Sequence, residues 1–440
     1  MCGITLYYVH NLKNIEQTVC MKKLTNVLLG CILISGVCTK EAINSYKNLT
    51  ETPFIATPCY ASANESAEAK EEEVTYPAAS EKSGFTIGAK AAYTTDIKGE
   101  TVIYSLNEEE RLPIASMCKI MTLILCFEAI DEGAISYDET VRISERAASM
   151  GGSQVFLEEN GEYTVDNLLK SIVVCSANDS CVAMAERVCG SEEAFTDRMN
   201  EKARELGAQN TLFANCTGLP KEPQYSCAKD VATMLRSLIS HEKYFEYGKV
   251  WMDKFEHPKG RYTEISNTNK LVRFYDGCDG GKTGFTSQAG FCLAATAKRG
   301  DMRVVSVVIG EQTSKDRFAD VRATFDYAFA NYTQSEIVAA SQPLEEKLSV
   351  SGGKTKLLTV QPKRSSYLFT RRGAKTEICT EIKKKEGLKA PVKKGDTVGE
   401  LLVYKDGVLF DKVALIATES VKKANLFDRF RDVAQNWNLH

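Results

Sequence analysis

Three short motifs, Ser116-Met117-Cys118-Lys119, Ser176-Ala177-Asn178 and Lys282-Thr283-Gly284, stand in that order along the chain. Used together, they oblige the fold to gather three distant segments round one cleft. Each is weak alone. The spacing serine-x-x-lysine recurs at Ser226, Ser240, Ser351 and Ser420, and serine-x-asparagine at Ser62 and Ser105. Only the copy at Ser116 runs into an apolar stretch of helical length, Ile120 to Ile130. The ordered set carries the information.

The set describes a serine nucleophile with lysine as its base. Residues three apart share a helix face, so the Lys119 amine reaches the Ser116 hydroxyl. A serine hydroxyl is a poor nucleophile until a base takes its proton. Lysine serves as that base when burial, a neighbouring cation or the positive end of a helix lowers its pKa. A helix start at Ser116 and a second cation, Lys282, supply two of these. Ser176 is placed to relay the proton to a leaving amine, and the Asn178 amide to hold both the lysine and a substrate backbone. The bland alternative for Ser176 is a helix cap. Lys282 and Thr283 on an edge strand suit a substrate carboxylate, and Gly284 lets a backbone approach closely. None of the 4 histidines is needed: His10 and His440 lie near the ends, and His241 and His257 read as surface residues.

The rest of the chain sets the context. Formal net charge is -3, which argues against a nucleic-acid partner. Met21-Lys22-Lys23 followed by apolar Leu24 to Val37 reads as a secretory signal, too short for a durable membrane span. The 15 cysteines show no CxxC pair or regular spacing, so no metal site or disulfide framework is expected, and those at 126, 175 and 181 read as small apolar side chains. No cofactor is expected.

The expected plan is an upstream extension (1–20), a signal peptide (21–42), a polar linker (43–83), a catalytic region (84–334), a small all-β sandwich (335–419) and an amphipathic helix (420–440). Ala89 to Tyr104 reads as a hairpin turning at Asp96 to Gly99. Tyr163 to Ala185 reads as buried helix, and Ser191 to Leu206 as an amphipathic one. Gly290 to Ala297 and Met302 to Gly310 read as strands, and Asp316 to Tyr332 as helix. Strands at both ends with helices between make the catalytic region α+β or α/β, its sheet built from distant segments. Beyond Ser335 come short alternating strands: Lys356 to Val360, Ser366 to Thr370, Thr397 to Tyr404 and Val408 to Ala417. Leu426, Phe427, Phe430, Ala434 and Trp437 share one face of the last segment, so it either lies on a membrane surface or packs on the β region.

With these motifs in view, residues from Gly84 to Tyr332 resemble the low-molecular-mass penicillin-binding proteins of the D-alanyl-D-alanine carboxypeptidase family. Ser153-Gln154-Val155, Asn215-Cys216-Thr217-Gly218-Leu219, Tyr225-Ser226 with Asp230, Asn267-Thr268-Asn269-Lys270-Leu271 and Gly281 to Thr286 read like that family's blocks. The resemblance implies an α+β fold of β-lactamase/transpeptidase type, an antiparallel sheet with a helical region, followed by the β sandwich. It implies a peptidoglycan stem peptide ending in D-Ala-D-Ala as substrate and β-lactams as covalent inhibitors. It assigns Ser116, Lys119, Ser176 and Asn178 to catalysis, and Lys282, Thr283, Gly284 and Phe285 to substrate binding. The backbone N–H groups of Ser116 and Phe285 become the oxyanion donors, and the last helix a membrane contact. A D,D-endopeptidase, a β-lactamase and a non-enzymatic binding protein share these motifs. The absence of a Glu-x-x-Leu-Asn segment between the second and third motifs argues against the β-lactamase.

Overall fold

The structure of the protein, a computed structural model, describes residues 85–428. The extension, signal and linker assigned to 1–83, and residues 429–440 of the terminal helix, lie outside the described residues.

β1 (Ala91–Asp96) and β2 (Val102–Leu106) form the expected hairpin. Its turn is tied by the Asp96 carboxylate, which accepts the N–H groups of Lys98 (3.0 Å) and Thr101 (2.7 Å). The other strands of the sheet come much later: β7 (Cys278–Thr286), β8 (Gly290–Arg299) and β9 (Met302–Glu311). The spatial order is β2-β1-β9-β8-β7, every neighbouring pair antiparallel. The first strand therefore pairs with the last, and β7 is left at an edge.

β9 explains why the run at Val304 is apolar at almost every position. Side chains alternate between faces along a strand. Val305, Val307 and Ile309 enter one core cluster with the helical region, while Val304 and Val308 enter a second with Val321 and Phe325. Those last two belong to α6 (Ser314–Asn331), which covers the far face. On the near face α5 (Ala228–Leu238) packs on the sheet, and α1 (Lys119–Asp131), α2 (Val165–Cys175), α3 (Asn178–Cys189) and α4 (Glu192–Glu205) share the core with it. Ile120 to Phe127 of α1 are all buried, as a helix that is apolar all round should be at the centre of a bundle.

One expected helix is broken. Tyr163 to Ala185 is not continuous: Tyr163 belongs to a short strand, β4 (Glu162–Thr164), paired with β3 (Thr140–Arg142), and α2 stops at Cys175. Ser176 takes the left-handed conformation, φ 65° and ψ 33°, and α3 starts afresh at Asn178. Helical propensity loses here to tertiary bonding. The Asn178 N–H and side-chain amide are drawn to the carbonyls of Ser153 and Gly151, each at 2.7 Å.

After α6 the chain is all β. A strand at Tyr332–Val338 pairs with Ser366–Arg371, and Val360–Pro362, Val408–Ala417, Thr397–Lys405 and Ile378–Lys384 make a four-stranded sheet in that order. This region has its own core around Leu358, Val403, Val413 and Leu415. The strands at 332–338 and 378–384 escape the sequence pattern. The first straddles the composition shift at Ser335. The second, Ile-Cys-Thr-Glu-Ile-Lys-Lys, lies at a sheet edge, where charged side chains block further pairing. Val421 is buried in this β core, whereas Leu426 and Phe427 are 68% and 85% exposed.

Candidate active site

Ser116 sits in a 3-10 turn, Ala115–Cys118, that feeds into α1. The turn is sharp. Ala115 has φ 46°, a left-handed value that costs a residue with a Cβ roughly 1–2 kcal/mol. Two glycines hold it. A Cβ on Gly218 would fall 2.1 Å from the Ala115 carbonyl oxygen, and one on Gly284 would fall 2.5 Å from that of Ile114. Gly284 thus lets the edge strand β7 lie against the backbone that presents the serine. The close approach expected at this glycine exists, and the nucleophile's own turn fills it.

Lys119 is wholly buried, and its Nζ lies 3.0 Å from Ser116 Oγ. The same nitrogen donates to the Thr217 carbonyl at 2.6 Å. That carbonyl belongs to a braced loop: Asn215 Oδ1 accepts the N–H groups of Thr217 (3.2 Å) and Gly218 (2.7 Å), and its amide donates to the Leu219 carbonyl (2.8 Å). Thr217 and Asn215 carry no chemical signature in the sequence, only a resemblance to a family block. Cys118, next but one to the nucleophile, donates to the Asn215 carbonyl, and burial pushes its thiol up to about 12. Such a thiol is inert. All ten described cysteines are free.

Ser176 and Asn178 flank the break between α2 and α3. Ser176 caps no helix N-terminus; it ends α2, and α3 has no side-chain cap. Its Oγ is buried with no hydrogen-bond partner among the described residues, and so is Asn178 Oδ1. An unmet buried polar atom costs about 1–3 kcal/mol. Two within one motif mark a place built to receive something else. Asp179 stiffens the motif from behind: its carboxylate accepts the N–H groups of Val155 and Leu157, both at 3.1 Å, and burial raises its pKa.

Lys282, Thr283 and Gly284 lie within the edge strand β7. Lys282 is 2% exposed, and its Nζ donates to the Thr283 carbonyl at 3.2 Å. Burial, and then the nearby Lys119 cation, hold Lys282 well below the usual lysine range. An anion bound beside Lys282 would offset both effects. Arg317 supports the strand from α6, donating to the Gly284 and Cys292 carbonyls. Phe285, 55% exposed, stacks on Phe291 with ring centres 4.2 Å apart. The structure brings Ser116 and Lys119 into contact and buries Ser176, Asn178, Lys282 and Thr283, with Phe285 at the exposed strand edge. Among the described residues no group of three or more His, Cys, Asp or Glu side chains is arranged to hold a metal ion.

Comparison with known proteins shows the family. Residues 76–313 match the model of the D-alanyl-D-alanine carboxypeptidase family, and 332–423 that of the penicillin-binding protein 5 C-terminal domain. The D-alanyl-D-alanine carboxypeptidase DacF of Bacillus subtilis is 40% identical over 79% of this chain and 90% of its own length. The structure of penicillin-binding protein 5 from Haemophilus influenzae aligns with a TM-score of 0.61 at 27% identity, covering 80% of this chain and all of that one. Penicillin-binding protein D2 from Listeria monocytogenes, solved in its ampicillin-bound form, aligns over 56% of this chain and 99% of its own, with a TM-score of 0.51 at 29% identity.

Proposed function

The chain belongs to the D-alanyl-D-alanine carboxypeptidase family, and we propose that it removes the terminal D-alanine of peptidoglycan stem peptides through an acyl-enzyme on Ser116. The observation that carries this reading is the 3.0 Å contact between Lys119 Nζ and Ser116 Oγ. Lys119 takes the hydroxyl proton as Ser116 attacks the penultimate D-Ala carbonyl. The developing oxyanion is held by the backbone N–H groups of Ser116 and Phe285. Ser176 passes the proton to the departing D-alanine nitrogen, and Asn178 Oδ1 takes a substrate N–H, which satisfies the two orphaned atoms. Lys282 and Thr283 receive the terminal carboxylate. Its charge offsets the burial and cation repulsion that lower the Lys282 pKa. Water then releases the shortened peptide. β-Lactams present a carbonyl and a carboxylate in similar relation and acylate the same serine.

The substrate's free carboxylate gives the test. Hydrogen bonds to charged groups contribute about 1.5–3 kcal/mol, so Lys282→Ala should lower kcat/KM on a free-acid D-Ala-D-Ala pentapeptide about 10- to 100-fold. On the C-terminally amidated peptide the same change should cost less than about threefold, the amide offering no charge to lose. Mass detection of released D-alanine or D-alanine amide measures both. Equal losses would mean that Lys282 does not read the carboxylate.

We also propose that the exported enzyme works at the outer face of the cytoplasmic membrane, held by residues 420–440. Exposed Leu426 and Phe427, with Lys422 and Lys423 beside them, support an interfacial contact. Among the described residues no helix is long and apolar enough to cross a membrane. The chain running through to 440 should sediment with anionic vesicles and a chain ending at Thr418 should not. Equal partition would make the segment purely structural.

A further inference from the structure

Gly151 to Glu158 form one wall of the cleft, and α3 secures only one side of it. Gly151 and Ser153 accept from Asn178, and Val155 and Leu157 donate to Asp179. The other side rests on a hairpin of two strands, β5 (Met252–Glu256) and β6 (Tyr262–Ser266). His257 begins the connection between them. It reads as a surface residue in the sequence, yet it is 6% exposed, its ring between those of Phe255 (centres 5.1 Å apart) and Tyr163 (5.7 Å). Neighbours from three separate segments explain the burial.

The contacts fix the state of this imidazole. Arg261 Nη2 lies 2.8 Å from Nδ1, and the Tyr163 hydroxyl 3.0 Å from the same nitrogen. A guanidinium can only donate, so Nδ1 is the bare nitrogen and Nε2 carries the hydrogen. Nε2–H donates to Thr263 Oγ1 at 2.8 Å. The threonine hydroxyl then gives its own hydrogen to the Val155 carbonyl at 3.2 Å. Arg261 reaches on to the Phe156 carbonyl (2.8 Å) and the Glu158 carboxylate (3.1 Å), and Tyr163 Oη accepts the Glu158 N–H (3.2 Å). Every strut from this hairpin to the wall thus passes through the ring or through a group touching it. Adding a proton at Nδ1 would set an N–H against the Arg261 guanidinium, a permanently charged group that can only donate.

We propose that His257 is a positioning residue: as a neutral ring it seats the Val155–Glu158 part of the cleft wall, and through it Asn178, and its protonation in acid unseats them. The groups facing it are Arg261 on the hairpin, Glu158 on the wall and Tyr163 on the strand Glu162–Thr164. Burial first, and then Arg261, hold the imidazole below the ordinary histidine range, with Glu158 opposing in part. The neutral form therefore prevails at neutral pH, and the strut weakens only on acidification. This inference rests on the role proposed above for Asn178.

The test follows acylation of Ser116 by a labelled penicillin from pH 7.5 to 4.5, using the protein as it stands and its variants. His257→Ala should acylate about tenfold more slowly at pH 7.5. His257→Gln, whose amide can donate and accept without titrating, should recover most of that loss. Between pH 7.5 and 4.5 the native rate should fall about fivefold further than that of His257→Gln, because every other titrating group is common to both. Thr263→Val, which cuts the link to Val155 but leaves the ring, should be about threefold slow at pH 7.5 and keep the native pH profile. Parallel native and His257→Gln profiles would overturn the role of His257 alone. If His257→Ala does not fold, that comparison decides by itself. Absence of native acylation at pH 7.5 would overturn the proposed site and this inference together.

Discussion

Lys119→Met should slow acylation of Ser116 about a thousandfold while leaving reversible binding of a free-acid peptide nearly intact. A positioned general base contributes about 10²- to 10⁴-fold, and Lys119 Nζ is the basic group shown within bonding distance of Ser116 Oγ. Methionine matches the lysine stem in length and flexibility, so the buried slot stays filled. Two effects on stability oppose each other. The Thr217 carbonyl loses its 2.6 Å donor, at a cost of about 1–3 kcal/mol. The Lys119 cation, second only to burial in depressing Lys282, is removed. The melting temperature should therefore shift by only a few degrees, and Lys282, relieved of its neighbour, should bind carboxylate at least as well. The expected signature is a collapse in kcat with little change in KM. A variant that acylates within tenfold of the native rate would show that the proton goes elsewhere.

Much of this was legible because the chemistry is local. Ser116 and Lys119 are one helical step apart, so their contact follows from spacing. The β1–β2 hairpin, α4 with its Ser191 cap, and the strands at 290–299 and 302–311 follow from turn residues and periodicity. What the sequence hides is tertiary. Nothing local says that an apolar run through Val174, Cys175 and Ser176 must break; the break is imposed by carbonyls more than twenty residues earlier. Nothing in Asn215 to Leu219 announces that its carbonyl will anchor the base. Gly284 reads as room for substrate, and only the register of β7 beside the turn at Ile114 shows what occupies that space. His257 was misplaced for the same reason: its burial comes from Tyr163, Phe255 and the cleft wall, which meet only in the fold.

The two lysines also show why a histidine-free site is workable. A buried cation beside another is poised to lose a proton, and here burial and Lys119 together depress Lys282. Substrate carboxylate reverses that balance. Carboxylate binding and the charge on Lys282 are thus linked, so truncating Lys119 should let carboxylate binding persist to higher pH.

The most direct measurement is the site of covalent attachment. Protein treated with benzylpenicillin should gain the mass of one opened β-lactam. Trypsin should then release that mass on the peptide Leu112 to Lys119. Because this peptide also contains Cys118, fragmentation must separate the two candidates, and the mass should stay with Ser116. Ser116→Ala should fold with an unchanged melting temperature, take no label and release no D-alanine from the pentapeptide. The serine's small, half-buried oxygen contributes little to packing, whereas covalent catalysis has no substitute for it. An adduct on Cys118 or any other residue, or label on the alanine variant, would contradict the account.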